Sequence, residues 1–561
     1  MDLRKVYKTI FAAFVVMTFA GCNGFLDTKI DTNTTPDAAA TNRNTLWQFA
    51  AAFYSPMTYG FSVLDGNLFA AASDEAVQTS ATGDVYYFYR GTINANANPL
   101  SNLYKNYYEG IRAANFFLEY AKNGEELLAM NRNLVNEKDN YEKDIRSLNW
   151  YRAEAHIAKA FYYTELLKMY GGVPIVEKTM SEDADRGSLV RTSYDAVVDY
   201  IVKEIDDHKD GLQVDWQTHP DNVSEEAGRF TLAAALAIKA RALLYAASPL
   251  HNPNNDKSKW ENAARAAHDV IALLNYRMPE NRNYRNSFIG EAPLTDKENI
   301  FIIRRPTDNT VEKKNYPIST AGGNSGITPT QNLVSAYEYI GEKDPMNPYK
   351  NRDPRLEASI VVNGSQWNDR VIDQSAGGSD DMSIANTSRT GYYLKKFLTD
   401  KLNLVQDGKA YHHWIAYRYA EVLLNYAEAM NQAYGPDALP SGYTMTAREA
   451  LTQVRKSAST SLPAVTTADV TEFEKAVKHE RRIELAFEDH RYWDLLRWKD
   501  AEKVLNLPLK GVTVTKDVNG VYGYQEVTVM QRTFLSRNFY FPFTRSEIQN
   551  SNGALVQNEG Y

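Results

Sequence analysis

The sequence contains only one cysteine, Cys22, among 561 residues. A single cysteine excludes a disulfide within the chain, and it leaves no set of thiolates for a structural zinc site or an iron–sulfur cluster. The fold must therefore be stabilised by burial of apolar surface, which a chain of this length can provide. Length alone predicts either one large domain or two closely packed domains.

The chain also has no excess of positive charge. Its 62 lysines and arginines are outnumbered by 70 acidic residues, which gives a net charge of −8. Because affinity for nucleic acids comes mainly from neutralising phosphates, this composition does not predict a nucleic-acid-binding protein. Beyond the N-terminus, no apolar run approaches the roughly 20 residues that a membrane-spanning helix needs. The body of the protein is therefore predicted to lie outside the lipid bilayer.

The beginning of the chain has the pattern of an export signal. Basic residues precede a short apolar run, 10–19, which cannot span a bilayer. Ala20 and Gly21 follow, directly before Cys22. This order predicts a signal peptide over residues 1–21. The two small residues directly before the cysteine resemble the lipobox of bacterial lipoproteins, in which the cysteine is acylated. An ordinary secretory signal beside a chance cysteine is the alternative.

Residues 22–44 are polar and are predicted to form a flexible tether. Helical periodicity dominates the sequence that follows. Residues 45–561 are predicted to form one domain. Apolar residues recur at helical spacing in segments that are rich in Ala and contain Tyr: 153–170, 190–206, 230–247, 260–275, 415–430, 445–457 and 471–488. Such segments favour stacked helix pairs of tetratricopeptide type, although no strict repeat is present. The predicted fold class is mostly α, and a generic helical domain is the alternative.

Two stretches differ from this helical pattern. Residues 73–105 and 276–412 are rich in Asn, Gly, Ser and Thr and contain only short β-like runs. Loops this long within a compact protein usually carry function. We therefore expect a helical scaffold with a loop-rich insert that contains short strands and the ligand site.

Aromatic side chains in these loops are the best candidates for ligand contacts. Four are consecutive at 86–89, after Asp84 and before the Asn-rich residues 94–98. The apolar face of a sugar ring packs on an aromatic ring, while its hydroxyls need amides or carboxylates. Five residues are predicted to contact the ligand: Tyr86, Tyr87, Tyr89, Tyr316 and Trp367. The alternative for 86–89 is a β-strand with two buried and two exposed rings.

Three acidic residues four apart, Glu480, Glu484 and Glu488, have the residue types of a glycosidase centre. Their predicted helix, however, also carries the apolar residues of a core-facing side. Carboxylates on such a face need paired cations. Arginines nearby in the sequence can provide them: Arg481, Arg482 and Arg491. We predict a structural ion-pair network and no catalytic residue.

No metal site is predicted. His412 and His413 are adjacent, and neighbours on a strand point to opposite faces. Three groups of acidic loop residues lack the spacing of known Ca²⁺-binding loops and are interpreted as solvated charges: Asp74 with Glu75, the region of Asp344 and Asp353, and Asp380 with Asp381. The sequence therefore predicts no cofactor.

A set of short motifs extends along the chain. The most specific is ERRIELAFE at 480–488, followed by RYWDLLRW at 491–498. The others are YGGVP at 170–174, RDPR at 352–355, GYYLKKF at 391–397, RYAEVLLNYAE at 418–428, YFPFTRSEI at 540–548 and QNEGY at 557–561. Together, and in the order in which they occur along the chain, these motifs resemble the SusD/RagB family of outer-membrane nutrient-binding lipoproteins of Bacteroidetes.

The resemblance implies a cell-surface lipoprotein that is attached to the outer membrane through a lipid on Cys22. It implies binding rather than catalysis: capture of an oligosaccharide or another small nutrient, and delivery to a SusC-like TonB-dependent outer-membrane transporter. Two other classes remain open, a lipid-anchored glycoside hydrolase and a structural adhesin or scaffold. The sequence does not identify the glycan or distinguish it from a peptide ligand.

Overall fold

The computed structural model describes residues 42–180, 184–216, 226–279 and 283–561. Cys22, the predicted signal peptide and nearly all of the predicted tether lie outside these residues. The first described helix begins at Arg43, where the side chain of Asn42 accepts a hydrogen bond from the backbone N–H of Thr45 at 3.1 Å. The first described helix thus begins two residues before the predicted boundary, because Asn42 is an effective helix cap.

Helices make up most of the regular structure of the described residues. In chain order they are α1 Arg43–Ala52, α2 Val85–Arg90, α3 Ser101–Tyr120, α4 Gly124–Ala129, α5 Lys138–Tyr170, α6 Tyr194–His208, α7 Leu232–Ala247, α8 Lys257–Ala272, α9 Ala292–Thr295, α10 Thr310–Asn315, α11 Gln331–Val334, α12 Pro354–Ser359, α13 Tyr419–Tyr434, α14 Ala447–Ala458, α15 Val470–Glu484, α16 Arg491–Arg497, α17 Ala501–Leu505 and α18 Arg545–Asn550.

The strands are short and pair two by two, always antiparallel. They are β1 Ala76–Gln78, β2 Asn299–Ile303, β3 Ile327–Pro329, β4 Ile360–Val361, β5 Gln366–Trp367, β6 Arg370–Val371, β7 Tyr393–Leu394, β8 Trp414–Arg418, β9 Leu509–Lys516 and β10 Tyr522–Met530. The pairs are β1–β3, β2–β8, β4–β7, β5–β6 and β9–β10. Most strands lie in the predicted insert, so the prediction of a mostly helical fold with short strands is confirmed.

The long helices pack on one another in succession. Helix α5 contacts α3 and α6, α7 contacts α8, and α13 contacts α8, α14 and α15. The C-terminal half of α5 is almost entirely buried, and most of its side chains are apolar or aromatic. These helices form the scaffold. The predicted helical segments 230–247 and 445–457 coincide with α7 and α14 to within two residues.

One glycine sets the distance between two scaffold helices. A methyl group at Gly110 in α3 would overlap the ring of Tyr162 in α5. The Tyr162 ring cannot move aside easily, because its hydroxyl donates a hydrogen bond to the carbonyl oxygen of Phe53 at 2.6 Å. Only glycine therefore permits this helix contact.

The two loop-rich stretches are joined by the β1–β3 pair, in which Ala76 lies opposite Pro329. The first stretch is not loop throughout, since it contains α2 and the first turns of α3. None of the helices in the described ranges combines the length and the apolar character that a membrane-spanning helix needs.

Candidate functional site

The four consecutive aromatic residues lie on helix α2, so the β-strand considered for them is wrong. The carboxylate of Asp65 accepts hydrogen bonds from the N–H groups of Asp84 at 2.7 Å and Val85 at 3.0 Å. These contacts satisfy amides that are otherwise unpaired at the start of a helix. Gly91 ends the helix in the left-handed conformation, with φ of 62°.

Helical spacing decides which of these rings is accessible. Val85, Phe88 and Tyr89 occupy positions i, i+3 and i+4 and are buried. Tyr86 and Tyr87 lie between them and remain half-buried. A strand would instead have exposed alternate residues.

Tyr87 borders an open groove of about 500 Å³. The groove runs between the Asn-rich loop and the start of α18, and it is lined by Asp84, Tyr87, residues 95–99, Ser101 and residues 544–546. Partial burial and the neighbouring Asp65 raise the pKa of Asp84. An aromatic ring here lies beside amide, hydroxyl, carboxylate and guanidinium groups, the mixture predicted for a sugar site.

The Asn-rich loop is held in place by its own side chains. The Asn94 side chain accepts a hydrogen bond from the N–H of Asn96 at 2.9 Å. The amide of Asn98 donates to the Pro542 carbonyl oxygen at 2.9 Å and to the Tyr170 hydroxyl at 3.1 Å. Asn96 is left exposed at the groove while Asn98 is buried.

The other wall belongs to the C-terminal segment. The N–H of Phe541 donates to the carbonyl oxygen of Met169 at 2.8 Å. The amide of Asn558 donates to the carbonyl oxygens of Phe541 at 2.7 Å and Tyr170 at 3.1 Å. The terminal motif thereby places Arg545 at the groove. The local sequence does not indicate a role for this residue, because its partner loop lies more than 400 positions earlier in the chain.

Tyr86, next to Tyr87 on α2, joins the two loop-rich stretches. Its hydroxyl lies 3.3 Å from the carbonyl oxygen of Ser80 and 3.3 Å from the guanidinium of Arg389, which donates to it. The guanidinium carbon of Arg90 lies 5.2 Å from the ring centroid. The Tyr86 ring is thus partly covered by cations but retains exposed surface.

The other three predicted ligand contacts are buried. Tyr89, Tyr316 and Trp367 are 3 %, 0 % and 3 % exposed. The Tyr89 hydroxyl accepts a hydrogen bond from the N–H of Gln78 at 3.1 Å. Tyr316 and Trp367 pack edge to face, with ring centroids 5.7 Å apart, and burial raises the pKa of Tyr316 to about 12. In this conformation these three rings stabilise the loops, and they present no open face to a ligand.

The acidic cluster forms a buried ion-pair network, as predicted. Arg418 donates to Glu484 at 2.7 Å and to Glu488 at 2.6 Å. Arg355 donates to Glu484 at 2.8 Å and also to Glu480. Burial raises the pKa of Glu488, but the nearby Arg418 and the ammonium of a buried lysine outweigh it, so the net shift is downward.

The cations of this network are not those expected from the sequence. Arg481 pairs with Asp494 at 3.1 Å. Arg482 and Arg491 instead reach Asp74, at 2.7 Å and 2.8 Å. Arg481 and Arg482 on helix α15 thus pair with aspartates of other elements. The glutamates of the same helix pair instead with arginines that are distant in sequence. The assignment of the neighbouring arginines as partners was wrong.

Asp74, Asp353 and Asp380 were interpreted as solvated loop charges, and that interpretation is also wrong. All three are buried. Asp353 pairs with Arg355 at 2.7 Å, and Asp380 pairs with Arg370 at 2.6 Å.

The adjacent histidines contact different partners. Nε2 of His412 lies 2.9 Å from the Glu312 carboxylate, whereas Nδ1 of His413 accepts from the N–H of Arg305 at 3.4 Å.

A small internal cavity lies beside Glu488 and Asp489. It has about 50 Å³ of accessible space and is also lined by Lys168, Arg241 and Trp493. Burial raises the pKa of Asp489 to about 6. The cavity is far smaller than the roughly 300–1,000 Å³ of typical ligand pockets, so it has room for water but not for a sugar.

Comparison with known proteins agrees with this architecture. The family model described as "SusD family" matches residues 297–561, and the model described as "Starch-binding associating with outer membrane" matches residues 24–244. SusD-like protein P38 of Formosa agariphila is 25 % identical over 403 residues, which cover 65 % of this chain and 69 % of that protein. SusD-like protein P2 of the same organism is 21 % identical over 77 % of both chains.

Solved structures show the same fold. A SusD-like protein from Bacteroides fragilis superposes with a TM-score of 0.75 at 23 % identity, over 94 % of this chain and 98 % of that one. A SusD-like carbohydrate-binding protein from B. fragilis gives 0.71 at 24 %, over 90 % and 98 %. Surface glycan-binding protein A from Bacteroides uniformis gives 0.65 at 20 %, over 92 % and 99 %. The chain belongs to the SusD/RagB family.

Proposed function

We propose that this protein binds an oligosaccharide at the cell surface, in the groove beside Tyr87, and delivers it to a SusC-like TonB-dependent transporter. The observation that carries the proposal is the half-exposed Tyr87 ring next to Asn96 and Arg545. The related proteins from Bacteroides described as carbohydrate-binding and surface glycan-binding support the ligand class.

The groove offers both kinds of contact that a sugar needs. The Tyr87 ring provides an apolar face for a pyranose ring. Asp84, Asn96 and Arg545 supply acceptors and donors for hydroxyl groups. Tyr86, with Arg389 beside its hydroxyl, is the candidate contact for a second sugar unit next to the groove.

Binding rather than hydrolysis is the better supported activity. A glycosidase needs two carboxyl groups facing one cleft, one of them protonated near neutral pH. Glu480, Glu484 and Glu488 are instead buried and paired with cations. Their geometry favours a structural role.

Attachment to the outer membrane through a lipid on Cys22 is part of the proposal. The family model described as associating with the outer membrane supports the location. We expect Cys22→Ala to release the protein from the membrane fraction of cells that express it. Retention of this variant in the membrane at the level of the natural chain would exclude this lipid as the attachment.

The ligand site is tested by calorimetric titration with a panel of oligosaccharides. Tyr87→Ala should weaken binding by about fivefold to a hundredfold, since the loss of a stacking ring costs on the order of 1–3 kcal/mol. Tyr120→Ala is the matched control, because Tyr120 is a half-buried tyrosine on scaffold helix α3, outside the groove.

Three results would contradict the proposal. Equal affinity in both variants would exclude the groove as the site. Release of new reducing ends from a bound glycan would favour the hydrolase. Binding of no oligosaccharide by the folded protein would favour the adhesin or scaffold.

A further inference from the structure

Three side chains on two scaffold helices converge away from the groove. His156 projects from α5, and Glu204 and His208 project from α6, where a spacing of four places them on one face. One nitrogen of each imidazole and one carboxylate oxygen all lie within 4.8 Å of one another. These are the residue types that bind first-row transition metals.

Hydrogen bonds fix the orientation of both imidazole rings. Nδ1 of His156 lies 2.7 Å from the Glu204 carboxylate, and Nδ1 of His208 lies 2.9 Å from the Glu204 carbonyl oxygen. Nδ1 of His156 and the Glu204 carboxylate therefore face each other at the distance of a shared proton, a position that a metal ion can take when it displaces that proton. The backbone carbonyl contact orients the His208 ring, as an outer acceptor usually orients the ring of a metal-bound histidine.

The two imidazole rings are stacked face to face. Their centroids are 3.4 Å apart and their planes differ by 6°. The cluster therefore brings two imidazoles and one carboxylate together at one point between the helices.

An entry path from solvent is present. His156 and His208 line an open cavity of about 620 Å³, together with Asp207 and Arg152. The Glu204 side chain is 12 % exposed. A metal ion could therefore reach the cluster without unfolding, and water could occupy a remaining coordination position.

We propose that His156, Glu204 and His208 bind a divalent transition-metal ion, best matched by Zn²⁺, that connects helices α5 and α6. Tetrahedral zinc with bonds of about 2.0–2.1 Å to nitrogen places its ligand atoms roughly 3.3 Å apart. The two rings are stacked, so each must turn out of the stack to direct one nitrogen at the ion. The hard cations Ca²⁺ and Mg²⁺ prefer oxygen ligands and do not match two imidazoles. Sequence spacing does not indicate this cluster, because His156 lies 48 positions from Glu204.

Lys159 competes with the metal for Glu204. Its ammonium lies 3.4 Å from the same carboxylate oxygen, and it is buried against the Tyr200 ring, 5.5 Å from the centroid. In the metal-free protein this cation neutralises Glu204. Replacement of Lys159 by methionine should therefore raise the affinity for Zn²⁺, whereas loss of a ligand should lower it.

The test uses the full folded chain after treatment with a chelator. Zn²⁺ added alone should bind at one equivalent and raise the melting temperature. Co²⁺ should give the visible absorption bands of a tetrahedral nitrogen–oxygen site. His208→Gln and Glu204→Gln should each weaken Zn²⁺ binding at least tenfold and abolish those bands, and Lys159→Met should strengthen binding.

His268→Gln is the matched control. His268 also lies on a scaffold helix, but it contacts the Thr444 hydroxyl at 3.1 Å instead of a carboxylate. The control should leave Zn²⁺ binding and the cobalt spectrum unchanged. Binding that is equal in His208→Gln, His268→Gln and the natural chain would overturn the proposal, as would the absence of stoichiometric Zn²⁺ or Co²⁺ binding by the folded protein.

Discussion

The side-chain amide of Asn98 donates a hydrogen bond to the carbonyl oxygen of Pro542, 2.9 Å away, across 444 positions of sequence. The same amide reaches the Tyr170 hydroxyl. One buried side chain thus joins the Asn-rich loop, the end of the long helix α5 and the C-terminal segment. The groove beside Tyr87 exists because these three elements meet.

Asn98→Ala should destabilise the protein and weaken glycan binding together. The substitution leaves buried polar groups of two other elements without their partner, which costs about 1–3 kcal/mol, and it frees the loop that forms one wall of the groove. The free energy of unfolding from denaturant titration and the dissociation constant from calorimetry measure the two effects. Asn96→Ala is the comparison, because Asn96 is exposed and should affect binding alone. Equal stability of both variants would contradict the role given to Asn98.

Gly110→Ala should destabilise the protein by about 1–3 kcal/mol. The added methyl group would overlap the Tyr162 ring, which the Phe53 carbonyl oxygen holds in place. This outcome is opposite to the usual gain from replacing glycine by alanine within a helix. Thermal and denaturant unfolding measure it. Asn102→Ala, at an exposed position of the same helix, should stay within about 0.5 kcal/mol of the natural chain.

The scaffold was predictable where apolar periodicity and local stop signals coincide. The predicted segment 153–170 ends with α5 because Gly171 adopts a φ of 71° there. The segment 415–430 was placed too early. Its first residues belong to strand β8, which pairs with β2 more than 100 positions earlier. Periodicity within one segment carries no information about such a partner.

The candidate site was predictable only in part, for the same reason. Tyr87 and Asn96 are close in sequence, so their composition indicated a site. Arg545 reaches the groove through long-range contacts of the C-terminal segment, which the local sequence does not reveal. The burial of Tyr316 and Trp367 likewise depends on how separate loops pack against each other, and aromatic composition does not distinguish a buried ring from an exposed one.

Glu75→Gln should change how stability depends on pH. Burial, and then the negative charge of Asp74, raise the pKa of Glu75 from 4.5 to about 8. The folded protein therefore retains a proton that the unfolded chain releases above pH 4.5. The stability that this group contributes is complete below pH 4.5 and is lost as the pH rises toward 8.

The quantity to measure is the free energy of unfolding of the natural chain minus that of Glu75→Gln. As the pH rises from 4.5 to 8, this difference should decrease by up to about 1.4 kcal/mol per pH unit. Denaturant titrations at several pH values measure it. A difference that is constant with pH would show that Glu75 is ionised in the folded protein.

Glu480→Gln should reduce stability without removing any enzymatic activity. Glu480 is fully buried and accepts hydrogen bonds from Arg355 and, at 2.8 Å, from Arg455. A neutral amide leaves these guanidinium groups with less compensating charge, and disruption of a buried ion pair costs about 3–5 kcal/mol. Glu472→Gln, on the same helix but exposed and paired with Lys475, should change stability by less than about 1 kcal/mol. Overnight incubation with oligosaccharides should release no new reducing ends from the natural chain or from either variant. Hydrolysis by the natural chain that disappears in Glu480→Gln at an unchanged melting temperature would instead identify Glu480 as a catalytic residue and overturn the binding function.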